Sequence, residues 1–89
     1  MVGRLGGEEF GILMPETDLD AGHRLAERLR LHIAAWLVPL PSGEALRMTA
    51  SFGVSALVSA HDNVDDLLAR ADRALYVSKR NGRDRVSIG

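Results

Sequence analysis

The sequence predicts a small α+β or α/β sandwich, and three observations carry that reading. Residues 18–36 and 64–81 each place apolar side chains at helical spacing. Residues 46–58 alternate apolar and polar with a period of two. Glycines and prolines cluster between these stretches, where the chain must turn. At 89 residues the chain is one small domain or part of one.

The elements follow in order. Val2–Leu5 reads as the last residues of a strand whose beginning is absent. Gly6-Gly7-Glu8-Glu9 makes a turn, and Phe10-Gly11-Ile12-Leu13-Met14, closed by Pro15, makes the returning strand of a hairpin over 2–14. Phe10, Ile12 and Met14 share one face of it. Thr17-Asp18 caps a helix over about 18–36, with Asp20 in its first turn and Leu25, Leu29, Ile33 and Trp36 as its apolar stripe. Trp36 is expected to pack at the helix end. Pro39, Pro41, Ser42 and Gly43 break that helix and form a loop.

Residues 46–58 then read as a long strand. Leu46, Met48, Ala50, Phe52, Val54, Ala56 and Val58 form an apolar face, and Arg47, Thr49, Ser51, Gly53 and Ser55 form a small, polar one. That second face suits either solvent or an element lying close against it. His61-Asp62-Asn63 caps a second helix over about 64–81, whose buried stripe is expected at Val64, Leu67, Leu68, Ala71 and Leu75. Gly82 is placed to stop it in a left-handed conformation, and a strand over about 84–88 follows. Both helices are expected on one face of the sheet.

Composition narrows the function classes. Zero cysteines exclude a disulfide framework, thiolate metal sites and a cysteine nucleophile. The N-terminus lacks a signal-peptide shape, and no apolar run approaches the about 18 residues of a membrane span, so a cytoplasmic location without direct membrane contact is expected. With a net charge of −1 and four aromatic residues, nucleic-acid binding is not expected. The charge is uneven, however. From Arg73 onward, Arg73, Lys79, Arg80, Arg83 and Arg85 stand against one acid, Asp84. An acidic body with a basic end suits a metal and an anion held together, although helix C-termini favour cations in any case.

Two segments can carry chemistry. In the first, Arg4-Leu5-Gly6-Gly7-Glu8-Glu9-Phe10, two adjacent carboxylates sit at a hairpin tip, and like charges that close resist ionising together. A divalent cation relieves that conflict; Mg²⁺ commonly takes one or two protein carboxylates plus phosphate oxygens and water. Glycines beside it let the main chain approach a substrate. The same residues also suit an ordinary Gly-Gly hairpin with exposed acids. In the second segment, Lys79 and Arg83 flank a glycine helix stop and can reach one anion from a single corner, though many helices end in basic residues and glycine.

Taken together, the two segments resemble the GGDEF family, the diguanylate cyclase domain, in its GGEEF variant. The resemblance covers Arg4 to Phe10, Pro15-Glu16-Thr17-Asp18, Ala26-Glu27-Arg28-Leu29-Arg30, Met48-Thr49-Ala50-Ser51-Phe52-Gly53-Val54 and Ala71 to Val86, in the family's order along nearly the whole chain. It implies an α+β, palm-like nucleotidyl-cyclase sandwich with a mixed sheet and two helices. It also implies condensation of two GTP into cyclic di-GMP by two domains acting as a dimer, with Mg²⁺ or Mn²⁺ as cofactor. By position, Glu8 is the metal ligand and Glu9 shapes the metal site or activates the hydroxyl. Gly6 and Gly7 admit the substrate, and Lys79 and Arg83 bind the triphosphate. Asp72, Arg73 and Tyr76 look structural.

Family domains are about twice this long, so the resemblance implies a C-terminal half whose N-terminal βααβ part, with a second metal ligand and guanine contacts, is missing. Two expectations follow: the isolated chain is inactive, and either the strand after the signature pairs in parallel with the 46–58 strand or a second copy fills the gap. Other readings are a non-catalytic interaction module using unpaired strand edges, or a receptor for GTP or cyclic di-GMP. His23, His32 and His61 share no metal-site spacing, and Ser51 and Ser55 have no histidine placed as a general base.

Overall fold

Backbone hydrogen bonding in a computed structural model, which describes residues 2–89, gives an α+β architecture. In chain order the elements are β1 (Val2–Gly6), β2 (Glu9–Ile12), α1 (Leu19–Ala35), β3 (Val38–Pro39), β4 (Ala45–Leu46), β5 (Phe52–Val54), α2 (Val64–Arg80) and β6 (Val86–Ile88). The strands pair two by two. β1–β2 and β3–β4 are antiparallel hairpins, and β5–β6 is a parallel pair with Phe52 opposite Val86 and Val54 opposite Ile88.

Side-chain caps set where the helices begin. The Asp18 carboxylate accepts the Ala21 N–H at 2.8 Å and starts α1. Asn63 and Asp66 exchange hydrogen bonds in a capping box that starts α2. At the other end of α2, Gly82 adopts φ +112° and the Arg83 N–H donates to the Ser78 carbonyl at 2.9 Å, the bond typical of a Schellman stop.

The core forms around β5, where both helices dock. Val54 is buried, and its Cγ1 lies 3.3 Å from where a Cβ on Gly22 of α1 would stand. A Cβ on the neighbouring Gly53 would sit 2.1 Å from the Ala71 carbonyl oxygen and 2.3 Å from the Leu75 nitrogen of α2. Successive strand residues face opposite ways, so α1 and α2 cover opposite faces of the β5–β6 pair rather than one. The small, polar face of this strand is therefore the seat of α2 and not a solvated surface. Ser55 Oγ donates to the Leu67 carbonyl at 2.6 Å there. Fully buried Ser78 donates to the Phe52 carbonyl at 2.8 Å and shares a 2.7 Å hydrogen bond with Ser87.

Several sequence expectations need correction. The strand over 46–58 is cut to Phe52–Val54, because its partner β6 is only three residues long and a ladder ends where its partner does. Residues 45–46 instead pair with 38–39, so the proline-rich loop is the tip of a small hairpin. β2 does not pair with β5. The helix faces are also rotated. Gly22 and Ala26 of α1, and Ala74 and Ser78 of α2, are the buried positions, while Val64 and Trp36 are 59% and 58% exposed. Close backbone approach requires small side chains at the contact, and the larger ones are displaced to its borders.

Among the described residues, neither hairpin brings a Cα within 8 Å of another helix or strand. The accessible surface, 6666 Å², is correspondingly large. A compact protein of this mass exposes about 5,100 Å². The radius of gyration, 14.4 Å, likewise exceeds the about 12 Å expected of a compact chain of this length. Large apolar side chains contribute to it: Val2, Leu5 and Phe10 of the first hairpin are 55–68% exposed. No described helix is long and apolar enough to cross a membrane.

Candidate functional site

The site is built where the β1–β2 turn meets the last turns of α2. β1 and β2 join through Gly7-Glu8, with Gly6 opposite Glu9 and a register shift between Arg4 and Gly6. Gly7 takes φ +47°, a left-handed conformation that suits a residue without Cβ, and Arg4 Nε donates to its carbonyl at 3.1 Å. The turn leaves Glu8 exposed at the tip. Glu9, the next residue, is half-buried and carries its carboxylate to α2, where Oε1 meets Lys79 Nζ at 3.0 Å.

Glu9 of the acidic pair and Lys79 of the basic helix end are thus brought together across 70 residues of sequence, while Glu8 and Arg83 do not line the junction. A cleft of about 180 Å³ lies at the junction, lined by Glu9, Asp72, Leu75, Tyr76 and Lys79. Tyr76 is 60% exposed on its rim, with the Arg80 guanidinium 5.8 Å from the ring centroid and donating to the phenol oxygen at 3.2 Å. Asp72 and Tyr76 therefore belong to the cleft wall, whereas the residue types alone read as structural. Their signal lay in spacing: 72, 76 and 79 fall on one side of a helix. Arg73 is exposed and stands outside this cleft.

Arg83 lies one turn beyond Lys79, past the helix stop. It is exposed, and its guanidinium has no hydrogen-bond or ion-pair partner among the described residues. Its backbone is left-handed at φ +63°. Lys79 is thus engaged by a carboxylate, and Arg83 is open to an anion.

The donor set fits part of a divalent-metal site. Among the described residues no group of three His, Asp or Glu side chains is arranged to hold an ion. Glu8 offers one exposed carboxylate, and Glu9 a second that is engaged by Lys79. That supply matches a Mg²⁺-type ion completed by phosphate oxygens and water, not a protein cage. His23, His32 and His61 take no part in such a group.

Known proteins decide the family. The family model described as "Diguanylate cyclase, GGDEF domain" matches residues 1–85. The chain belongs to the GGDEF family. Its signature, Gly6 to Phe10, occupies the β1–β2 turn just described. Diguanylate cyclase DgcP of Pseudomonas aeruginosa is 45% identical over 87 residues, covering 98% of this chain and 13% of that protein. The response regulator PleD of Caulobacter vibrioides is 43% identical over 84 residues, covering 93% of this chain and 18% of that protein. Among solved structures, the GGDEF domain of DgcB from Caulobacter crescentus in complex with c-di-GMP superposes with a TM-score of 0.89 at 30% identity, covering 98% of this chain. The active GGEEF domain of a Vibrio cholerae diguanylate cyclase gives 0.82 at 38% identity, also covering 98%. This chain spans 52% and 54% of those two solved chains. It therefore has the GGDEF fold over about half the length of its solved relatives.

Proposed function

We propose that this chain forms the signature-bearing part of a diguanylate cyclase site, which joins two GTP into cyclic di-GMP when the domain is complete and paired with a second copy. The observation that supports the reading is the 3.0 Å approach of Glu9, in the signature, to Lys79, near the end of α2, with both residues lining one cleft. In the reaction, the 3′-hydroxyl of one GTP attacks the α-phosphorus of the other. A P–O bond forms, the bond to pyrophosphate breaks, and the hydroxyl proton passes to a base. The same exchange in the opposite sense closes the ring and releases the second pyrophosphate.

Phosphoryl transfer of this kind depends on positioning and charge neutralisation more than on covalent chemistry by the protein. Lys79 and Arg83 hold the triphosphate from the end of α2. Glu8 holds a divalent metal, Mg²⁺ or Mn²⁺, which supplies charge neutralisation on the phosphates when bound. Glu9, released from Lys79 as the anion arrives, shapes the metal site or accepts the hydroxyl proton. Gly6 and Gly7 present bare backbone to the substrate.

Half a domain supplies half of such a site, so the chain by itself is proposed to be inactive. The exposed apolar hairpin and the surface excess, about 1,500 Å² over a compact protein of this mass, support a fold completed by further polypeptide. The test is formation of cyclic di-GMP from GTP with Mg²⁺, followed by chromatography. The expected result is none from the 89-residue chain and turnover when it is fused behind the N-terminal portion of the Pseudomonas aeruginosa DgcP domain. Turnover by the chain alone refutes the inactivity, and a folded fusion without turnover refutes the cyclase reading.

A further inference from the structure

Past the stop of α2, two consecutive non-glycine residues adopt left-handed backbone, Arg83 at φ +63° and Asp84 at φ +47°. Residues with a Cβ disfavour this region, and a run of two persists only where the surroundings impose it. Here the constraints come from three separate parts of the chain. The Arg83 N–H donates to the Ser78 carbonyl of α2 at 2.9 Å. The Asp84 N–H donates to Ser51 Oγ at 3.1 Å. Arg30 of α1 reaches across 54 residues of sequence to the Asp84 carboxylate, Nη1 to Oδ1 at 2.9 Å, and more weakly to its carbonyl at 3.4 Å.

Arg30 is itself fixed. Its side chain is 18% exposed, and Glu27 takes its other edge, with Nε 3.1 and 3.2 Å from the two carboxylate oxygens. That hydrogen bonding holds the Glu27 carboxyl below its ordinary value and the Arg30 guanidinium above its own. Among the described residues, the one cation in this turn left without a protein partner is Arg83, next to the gripped Asp84.

We infer that Arg30 is a positioning residue for the anion-binding corner: by gripping Asp84 it holds the Arg83–Asp84 turn left-handed and keeps Arg83 beside Lys79 for a shared polyphosphate. The inference rests on the proposed role of Lys79 and Arg83. It makes Arg30, on the helix after the signature, part of substrate binding without any contact to substrate.

Calorimetric titration of the chain with inorganic tripolyphosphate tests it. Arg30→Met keeps much of the side chain's packing and removes the grip. Affinity is expected to fall about tenfold in Arg30→Met, as in Arg83→Ala, and the double variant to be no weaker than Arg83→Ala alone. Amide hydrogen exchange of Arg83 and Asp84 is expected to accelerate in Arg30→Met while that of Leu75 in mid-α2 is unchanged. Asp84→Ala breaks the same grip from the other end and should reproduce the pattern should Arg30→Met fail to fold. Arg83→Ala weakening with wild-type affinity in Arg30→Met, losses that multiply in the double variant, or unchanged exchange at 83–84 overturns the positioning role alone. A wild-type chain that does not bind tripolyphosphate, or is indifferent to both Lys79→Ala and Arg83→Ala, overturns the anion-site reading and this inference with it.

Discussion

Around β5 one backbone lies directly against another, whereas the signature hairpin reaches the rest of the molecule through long side chains. At Gly53 the separation from α2 leaves no space for a methyl group, and buried Ser78 ties the same helix to both strands of the parallel pair. At the hairpin, Glu9 and Lys79 meet while each remains 36–40% exposed. The first region is specified by packing, which tolerates little change. The second is specified by charge in contact with water, which contributes little stability and can change partner readily. The signature turn is thus attached weakly to a scaffold that is itself tightly fitted.

The contrast breaks most sharply at Gly53. Gly53→Ala places a Cβ inside the α2 backbone, and the helix must leave the sheet. The expected loss exceeds about 3 kcal/mol, enough to abolish a cooperative thermal transition in so small a protein. A folded Gly53→Ala chain with an unchanged midpoint refutes the packing account. Next comes Ser78→Ala, which leaves the Phe52 carbonyl and the Ser87 hydroxyl without their buried partner. A cost of about 1–3 kcal/mol should appear as a lower urea midpoint with unchanged slope.

A third test uses acid. Arg70, and after it the Val58 N–H, hold the Asp62 carboxyl below its ordinary 3.8. A carboxyl depressed in the folded state contributes fully above its unfolded value, and the contribution disappears as pH falls through the lower folded value. Thermal midpoints measured from neutral pH to pH 2 should therefore decline below about pH 4, and Asp62→Asn should flatten part of that decline. An acid limb identical in wild type and variant refutes the assignment. The smallest effect belongs to the hairpin. Glu9→Gln should lower the unfolding free energy from urea titration by less than about 1 kcal/mol, because its ion pair is half in water. A larger loss would mean that the hairpin is structurally coupled to the core.

The sequence made the helices legible because their boundaries rest on local chemistry. Asp18, Asn63 with Asp66, and Gly82 act on backbone groups within a few residues. The strand expected over 46–58 differs from the structure for the opposite reason. Alternation records which side chains share a face, while pairing depends on a partner far along the chain, here only Val86–Ile88. The helix faces differ from the expected ones because hydrophobic periodicity favours leucines, yet the buried positions are Gly22, Ala26, Ala74 and Ser78. For the site, the signature and Lys79 were evident as motifs, and Asp72 and Tyr76 were recoverable from helical spacing. The Arg30–Asp84 contact was not, since nothing local links residues 54 positions apart.

The β3–β4 hairpin has a practical consequence. Its tip over 41–44 is exposed, closed by the Leu40 N–H donating to the Glu44 carbonyl and the Gly43 N–H to the Leu40 carbonyl, and set apart from the other elements. Lengthening such a loop raises closure entropy only slowly with added residues. A peptide tag or fluorescent label grafted there would report on the molecule from outside its working parts, leaving both the fitted scaffold and the signature turn undisturbed.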